Sequence, residues 1–169
     1  MPADNTFATT GSGTPKAITK KDLAKAAAVL DAANIPSEGR FVIVPPSFAE
    51  DMRNIQEFTD ASFFGRPNES LIGAASLPPS VFGFIPMVRT KLPKFDTNTG
   101  KPVPYDSTSG TAVESAIFWQ QNSVAWEPSQ VFEYSELQKP ALLGSEFNFE
   151  IFTAAGRLRN TGVGMIHRG

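Results

Sequence analysis

Residues 41–44, Phe-Val-Ile-Val, run straight into Pro45-Pro46, and this abrupt stop constrains the chain more than any other stretch. Four consecutive β-branched or aromatic residues predict a strand covered on both faces. The two prolines end it, because neither has an N–H to give a sheet ladder. Ser47 follows with a side-chain oxygen for the first free amides of a helix, and Glu50 three residues later completes a capping box. That helix is expected to run to about Phe58. Upstream, Thr19 reads as an N-cap with Asp22 at the third helical position, and Leu23, Ala27 and Leu30 recur at helical spacing. A helix, a stop near Pro36, a central strand and a second helix are therefore expected in that order.

A chain of 169 residues fits one domain. Hydrophobic residues make up 41%, including 14 Phe, enough for a core, while 14 Pro and 13 Gly favour a loop-rich α+β fold over a helical bundle. A net charge of −2 argues against a basic nucleic-acid-binding face as the main function. Without cysteine there is no disulfide, zinc-thiolate site or thiol nucleophile. No run approaches the roughly 18 apolar residues of a membrane span, so no membrane partner is expected.

Residues 1–17 are small, polar and rich in Gly, Ser and Thr in their first fourteen positions, and read as a flexible leader before a single α+β domain at 18–169. The Gly11 and Gly13 segment lacks phosphate-loop spacing. Lys20, Lys21 and Lys25 form a solvated helix face or a contact with an acidic neighbour. Residues 81–88 read as a strand that Gly83 and Pro86 restrict to an edge or a bulge. Residues 91–111 form an insertion, either a long loop or a small hairpin around Asn98, Thr99 and Gly100. Residues 112–126 suit a buried strand mixed with a short helix, and residues 147–152 alternate in polarity as a strand does.

The segment Leu30-Asp31…Ile35-Pro36…Gly39-Arg40, followed by Val42 to Val44 and Pro45, resembles the major capsid proteins of tailed bacteriophages, which have the Hong Kong 97-type fold. Ala155, Gly156, Leu158, Arg159, Val163 and Ile166 are similar to that family's C-terminal strand pair, with Ala replacing its usual Tyr. The resemblance covers residues 18–92 and resumes over 112–166. It implies an axial-domain-like α+β fold, a central mixed sheet flanked by helices, with long loops. It also implies a structural virion protein that packs against copies of itself or the rest of the capsid protein. Such a protein needs no cofactor, meets packaged DNA indirectly, and resides in a capsid assembled in the bacterial host cytoplasm. The family's arm, extended loop and spine helix are not recognisable before Thr19. The resemblance therefore implies a C-terminal portion, a separately encoded part or an isolated domain. An encapsulin-like bacterial shell uses the same fold and is the alternative within the structural class.

Enzymatic readings find little support. Hydrolysis needs a nucleophile beside a base, and the single histidine, His167, is third from the end. Glu127, Glu133 and Glu136 offer oxygen ligands for a hard cation but lack a glycine-punctuated loop. A small metal-dependent or hydrolytic enzyme thus stands as the reading from another class, with no catalytic, metal or cofactor residue to assign. Trp119 and Trp126 read as core packing or a stacking platform. The candidate contacts with other subunits or DNA are Lys91, Lys94 and Lys101 in the locally basic insertion, and the adjacent Phe63 and Phe64.

Overall fold

A computed structural model describes residues 5–55, 77, 80–139 and 144–169. Its main sheet has five strands: β1 (Thr6–Ala8), β2 (Arg40–Val44), β3 (Phe84–Val88), β7 (Ser115–Gln120) and β10 (Val163–His167). Their spatial order is β1-β10-β7-β2-β3. β1 lies parallel to β10 and β3 parallel to β2, while β7 runs antiparallel to both of its neighbours. The sheet is therefore mixed. Its middle strand is β7, and the Phe-Val-Ile-Val strand sits beside it.

Two helices, α1 (Lys20–Ala32) and α2 (Pro46–Arg53), supply Leu23, Ala26, Leu30, Phe48, Ala49 and Met52 to the core. The strands answer with Phe7, Val42, Val44, Phe84, Ala116, Phe118 and Ile166. Phe41 and Ile43, which alternate with Val42 and Val44, are only half-buried. Phe41 stacks on Trp119 across the β2–β7 pair at 5.6 Å between centroids. Full cover on both faces is thus not what residues 41–44 have; the continuous apolar run serves a helix-covered face and a half-open one.

The start of α1 matches expectation, for the Asp22 carboxylate accepts from the N–H and hydroxyl of Thr19. The start of α2 does not. Pro45 is the cap and Pro46 the first helical residue, a position where the fixed φ suits a helix and the missing N–H costs nothing. Ser47 points away and donates to Glu114 at 2.5 Å. The helix ends at Arg53, short of the expected Phe58, which lies outside the described residues.

Residues 5–17, read from sequence as part of a flexible leader, are built into the fold. β1 adds a strand to β10, and Phe7 is buried. Asn5 donates its side-chain amide to the carbonyls of Thr161 and Val163. Asp22, itself fully buried, also accepts from the N–H and hydroxyl of Thr10. A polar composition hid a segment whose one large apolar residue, Phe7, does the anchoring.

The insertion resolves into a small sheet of β4 (Lys94–Asp96), β5 (Lys101–Val103) and β6 (Ala112–Val113), in the order β5-β4-β6. The hairpin alternative is the one observed, turning at residues 97–100 with Gly100 at φ +66°. It is seated on the main body, since Phe95 is buried and stacks on His167 with centroids 4.3 Å apart. The last element is a long ribbon of two antiparallel strands, β8 (Val124–Lys139) and β9 (Gly144–Arg157).

Candidate subunit interface

The ribbon is where the chain leaves its own core. Opposed residues of an antiparallel pair share a face, and the register therefore sorts the side chains. Val131 faces Ile151, Glu133 faces Phe149 and Ser135 faces Phe147, so one face carries four large apolar residues. These are 55–66% exposed. On the other face Phe132 opposes Glu150, Tyr134 opposes Asn148 and Glu136 opposes Glu146. Phe152 joins that face, meeting Phe132 edge-on at 6.0 Å, while Phe132 stacks on Tyr134 at 6.5 Å. A two-stranded ribbon is marginal in water unless something covers it. An exposed apolar surface of this extent marks an interaction site.

Local chemistry fixes how the ribbon leaves the body. The register shifts between Pro128 and Val131, where proline gives no N–H to the ladder. At the root, the Ser123 carbonyl accepts from the N–H of Leu158 and Arg159. Gly162 lies so close to Ser123 that an added Cβ would sit 1.8 Å from its hydroxyl oxygen. Trp126, expected in the core, is instead exposed near this root, and it does not meet Trp119 as a stacking platform would require.

The small sheet gathers the three candidate lysines. Lys94 donates to the Ser107 carbonyl at 2.8 Å, Lys91 lies 5.8 Å from the centre of the Tyr105 ring, and Lys101 is exposed on β5. In its turn, the Asp96 carboxyl is held below the usual carboxylate range, chiefly by the Thr111 hydroxyl and then by the Asn98 N–H and Thr99. Phe63 and Phe64 lie outside the described residues.

Two buried arginines carry structural roles that residue-by-residue reading of the sequence left unassigned. Arg40 donates to Asp31 at 2.6 Å and to the carbonyls of Ile35 and Pro36 at 2.6 and 2.9 Å. That is the physical content of the Leu-Asp…Pro…Gly-Arg pattern: the strand's first residue fastens the turn that ends α1. Gly39, at φ +67°, permits the chain reversal before it. Arg168 bonds Glu114, Asp51 and the Lys16 carbonyl and lies 4.7 Å from the Phe48 ring centre. Only its position beside a terminal strand pointed to it. His167 is half-buried beside it, its ring stacked on Phe95 and its Nδ1 3.0 Å from the Arg168 carbonyl. Among the described residues no group of three or more His, Cys, Asp or Glu side chains is placed to hold a metal ion. Nor is any described helix long and apolar enough to cross a membrane.

Comparison with known proteins matches residues 2–136 to a family model described as phage capsid protein. A capsid structure of cyanophage P-SCSP1u superposes with a TM-score of 0.67 at 18% identity, covering 98% of this chain and 53% of that one. A Mycobacterium phage Che8 structure gives 0.63 at 18%, covering 97% and 54%. The asymmetric unit of the bacteriophage PhiM1 mature capsid gives 0.63 at 7%, covering 96% and 51%. The likeness is one of fold, the Hong Kong 97-type. The chain spans about half the length of these solved chains. No curated protein matches it.

Proposed function

This chain belongs to the phage capsid protein family, and from that premise we propose that it is a major capsid subunit that builds a phage shell by packing against copies of itself. The observation that carries this reading is the β8–β9 ribbon, whose apolar and aromatic side chains stand exposed on both faces. Surface of that kind is stable in solution only when another surface removes it from water, at roughly 25 cal/mol per Å² of apolar area. The main body supports the reading too. It has its own buried cluster under a five-stranded sheet, and the exposed ribbon lies outside that cluster. On this reading the unit expected at 18–169, extended at its start by β1, acts as one α+β body with the basic small sheet as its insertion. The work is structural, no chemical step is assigned, contact with packaged DNA is indirect, and assembly takes place in the host cytoplasm.

Mass spectrometry of shells purified from cells producing the phage tests this. The chain is expected as a principal component of the shells, and electron cryo-microscopy should place the ribbon against a neighbouring subunit. Shells that lack the chain would overturn the reading.

A further inference from the structure

We propose that the aromatic, acidic face of the β8–β9 ribbon docks on the basic small sheet of a second copy of this chain. The proposal rests on the capsid reading above and adds to it the two surfaces that meet.

The two ribbon faces differ in chemistry. Val131, Phe147, Phe149 and Ile151 make one face broadly apolar. The other gathers Phe132, Tyr134 and Phe152 into one aromatic cluster, with Glu146 and Glu150 on the same side. These rings are already in contact with one another, so ordering them on docking costs little entropy. Arg89, Lys91, Lys94 and Lys101 concentrate positive charge on and beside the small sheet. The acids there are Asp96, Asp106 and Glu114; Asp96 is engaged by Asn98 and Thr99 of its own turn, and Glu114 by Ser47 and Arg168. Tyr105 is exposed beside Lys91, so this surface too pairs cations with an aromatic ring. Acidic and aromatic thus faces basic and aromatic.

Geometry directs the contact between copies. The ribbon's Phe132, Tyr134, Phe152 and Glu150 are exposed in the described structure and so are open to a second copy. At about 3.4 Å per residue, β8 is roughly 50 Å long, well over the ~13 Å radius of gyration of a 100-residue body. Such a lever meets a neighbour more readily than its own root. Ribbon to small sheet is a head-to-tail contact, which closes into a ring when the rotation allows.

Sedimentation velocity on wild type, E146K/E150K, K91E/K101E and the chain with all four substitutions tests the pairing. All four positions lie outside the core, and far-UV circular dichroism checks that each variant folds. Each charge-reversed pair should weaken self-association roughly tenfold or more, and the fourfold variant should recover to within about threefold of wild type. Raising salt from about 50 to about 500 mM should weaken the wild type similarly. Association unchanged in both paired variants overturns the docking geometry while the capsid reading stands, because copies then meet elsewhere. Loss without recovery in the fourfold variant overturns it as well. A monomeric wild-type chain at every concentration also overturns it, and leaves the capsid reading to the shell composition test.

Discussion

A guanidinium taken out of water must find an acceptor for the N–H groups it buries, and Arg40, at 2% exposure, finds three: Asp31 and the carbonyls of Ile35 and Pro36. The two carbonyls belong to the turn after α1, so truncating the arginine loosens the turn and strands the buried Ile35 carbonyl. Arg40→Ala should cost about 3 kcal/mol in urea unfolding. Arg40→Lys, a point charge unable to serve the same fork, should recover only part of that. Asp31 behaves differently. Its side chain is 65% exposed, so Asp31→Ala should cost less than about 1 kcal/mol despite removing the ionic partner. Equal losses at the two positions would show that the ion pair, and not the carbonyl contacts, holds the turn. A second residue-scale constraint lies under the Phe118 ring. A Cβ on Gly164 would come within 2.1 Å of that ring and 2.6 Å of the Asn5 carbonyl oxygen. Gly164→Ala should therefore destabilise by about 1–3 kcal/mol, the usual cost of overpacking, measured by the same unfolding transition.

Elements differ in how much of their stability is their own. β7 lies between β10 and β2 and contributes Ala116 and Phe118 to the core, whereas β8 and β9 have only each other in the described chain. Hydrogen exchange on the unassembled chain should show it: amides of residues 131–136 and 146–151 should exchange orders of magnitude faster than those of 116–119. Uniform protection across both sheets would mean that the ribbon is already covered. The small sheet is a divided case. Its tip at residues 97–100 is exposed and replaceable, but Phe95 is buried against His167 and the Ser115 hydroxyl donates to the Pro93 carbonyl. Phe95→Ala should lower stability by about 3 kcal/mol, while a Gly-Ser substitute for residues 97–100 should leave the melting temperature within a few degrees. The whole of 91–111 is therefore not an appendage.

At the scale of the whole molecule, the two ends of the sequence close the main sheet against each other. β1 pairs with β10, Thr9 accepts from Gly169 and donates to Lys16, and Asp22 holds Thr10. Removing residues 1–10 strips β10 of a neighbour, deletes Phe7 and leaves the buried Asp22 short of two partners. A loss of about 3 kcal/mol follows, lowering the melting temperature by roughly 6–12 °C; an unchanged melting curve would mean that β1 adds nothing to the core. The sequence by itself determined the elements whose signals are local. The α1 start at Thr19 and Asp22, the strand before Pro45, the edge placement of the Pro86 strand and the hairpin at Asn98–Gly100 rest on caps, prolines and turn glycines that act within a few residues. The Leu-Asp…Pro…Gly-Arg pattern was legible as a family likeness, but its mechanism required seeing which carbonyls Arg40 reaches. Only the tertiary structure decided the rest, because the deciding contacts join residues far apart in the chain. Phe7 is core because β10 lies beside it. Ser47 is no cap because the helix already begins at Pro46, and its hydroxyl instead donates to Glu114, 67 positions later. Arg168 is buried because α2, the β6–β7 junction and the Lys16 carbonyl converge on it. The ribbon's alternation of polar and apolar residues announces strands, yet alternation normally means one buried face; that both faces here stand open is set by where the rest of the chain is not.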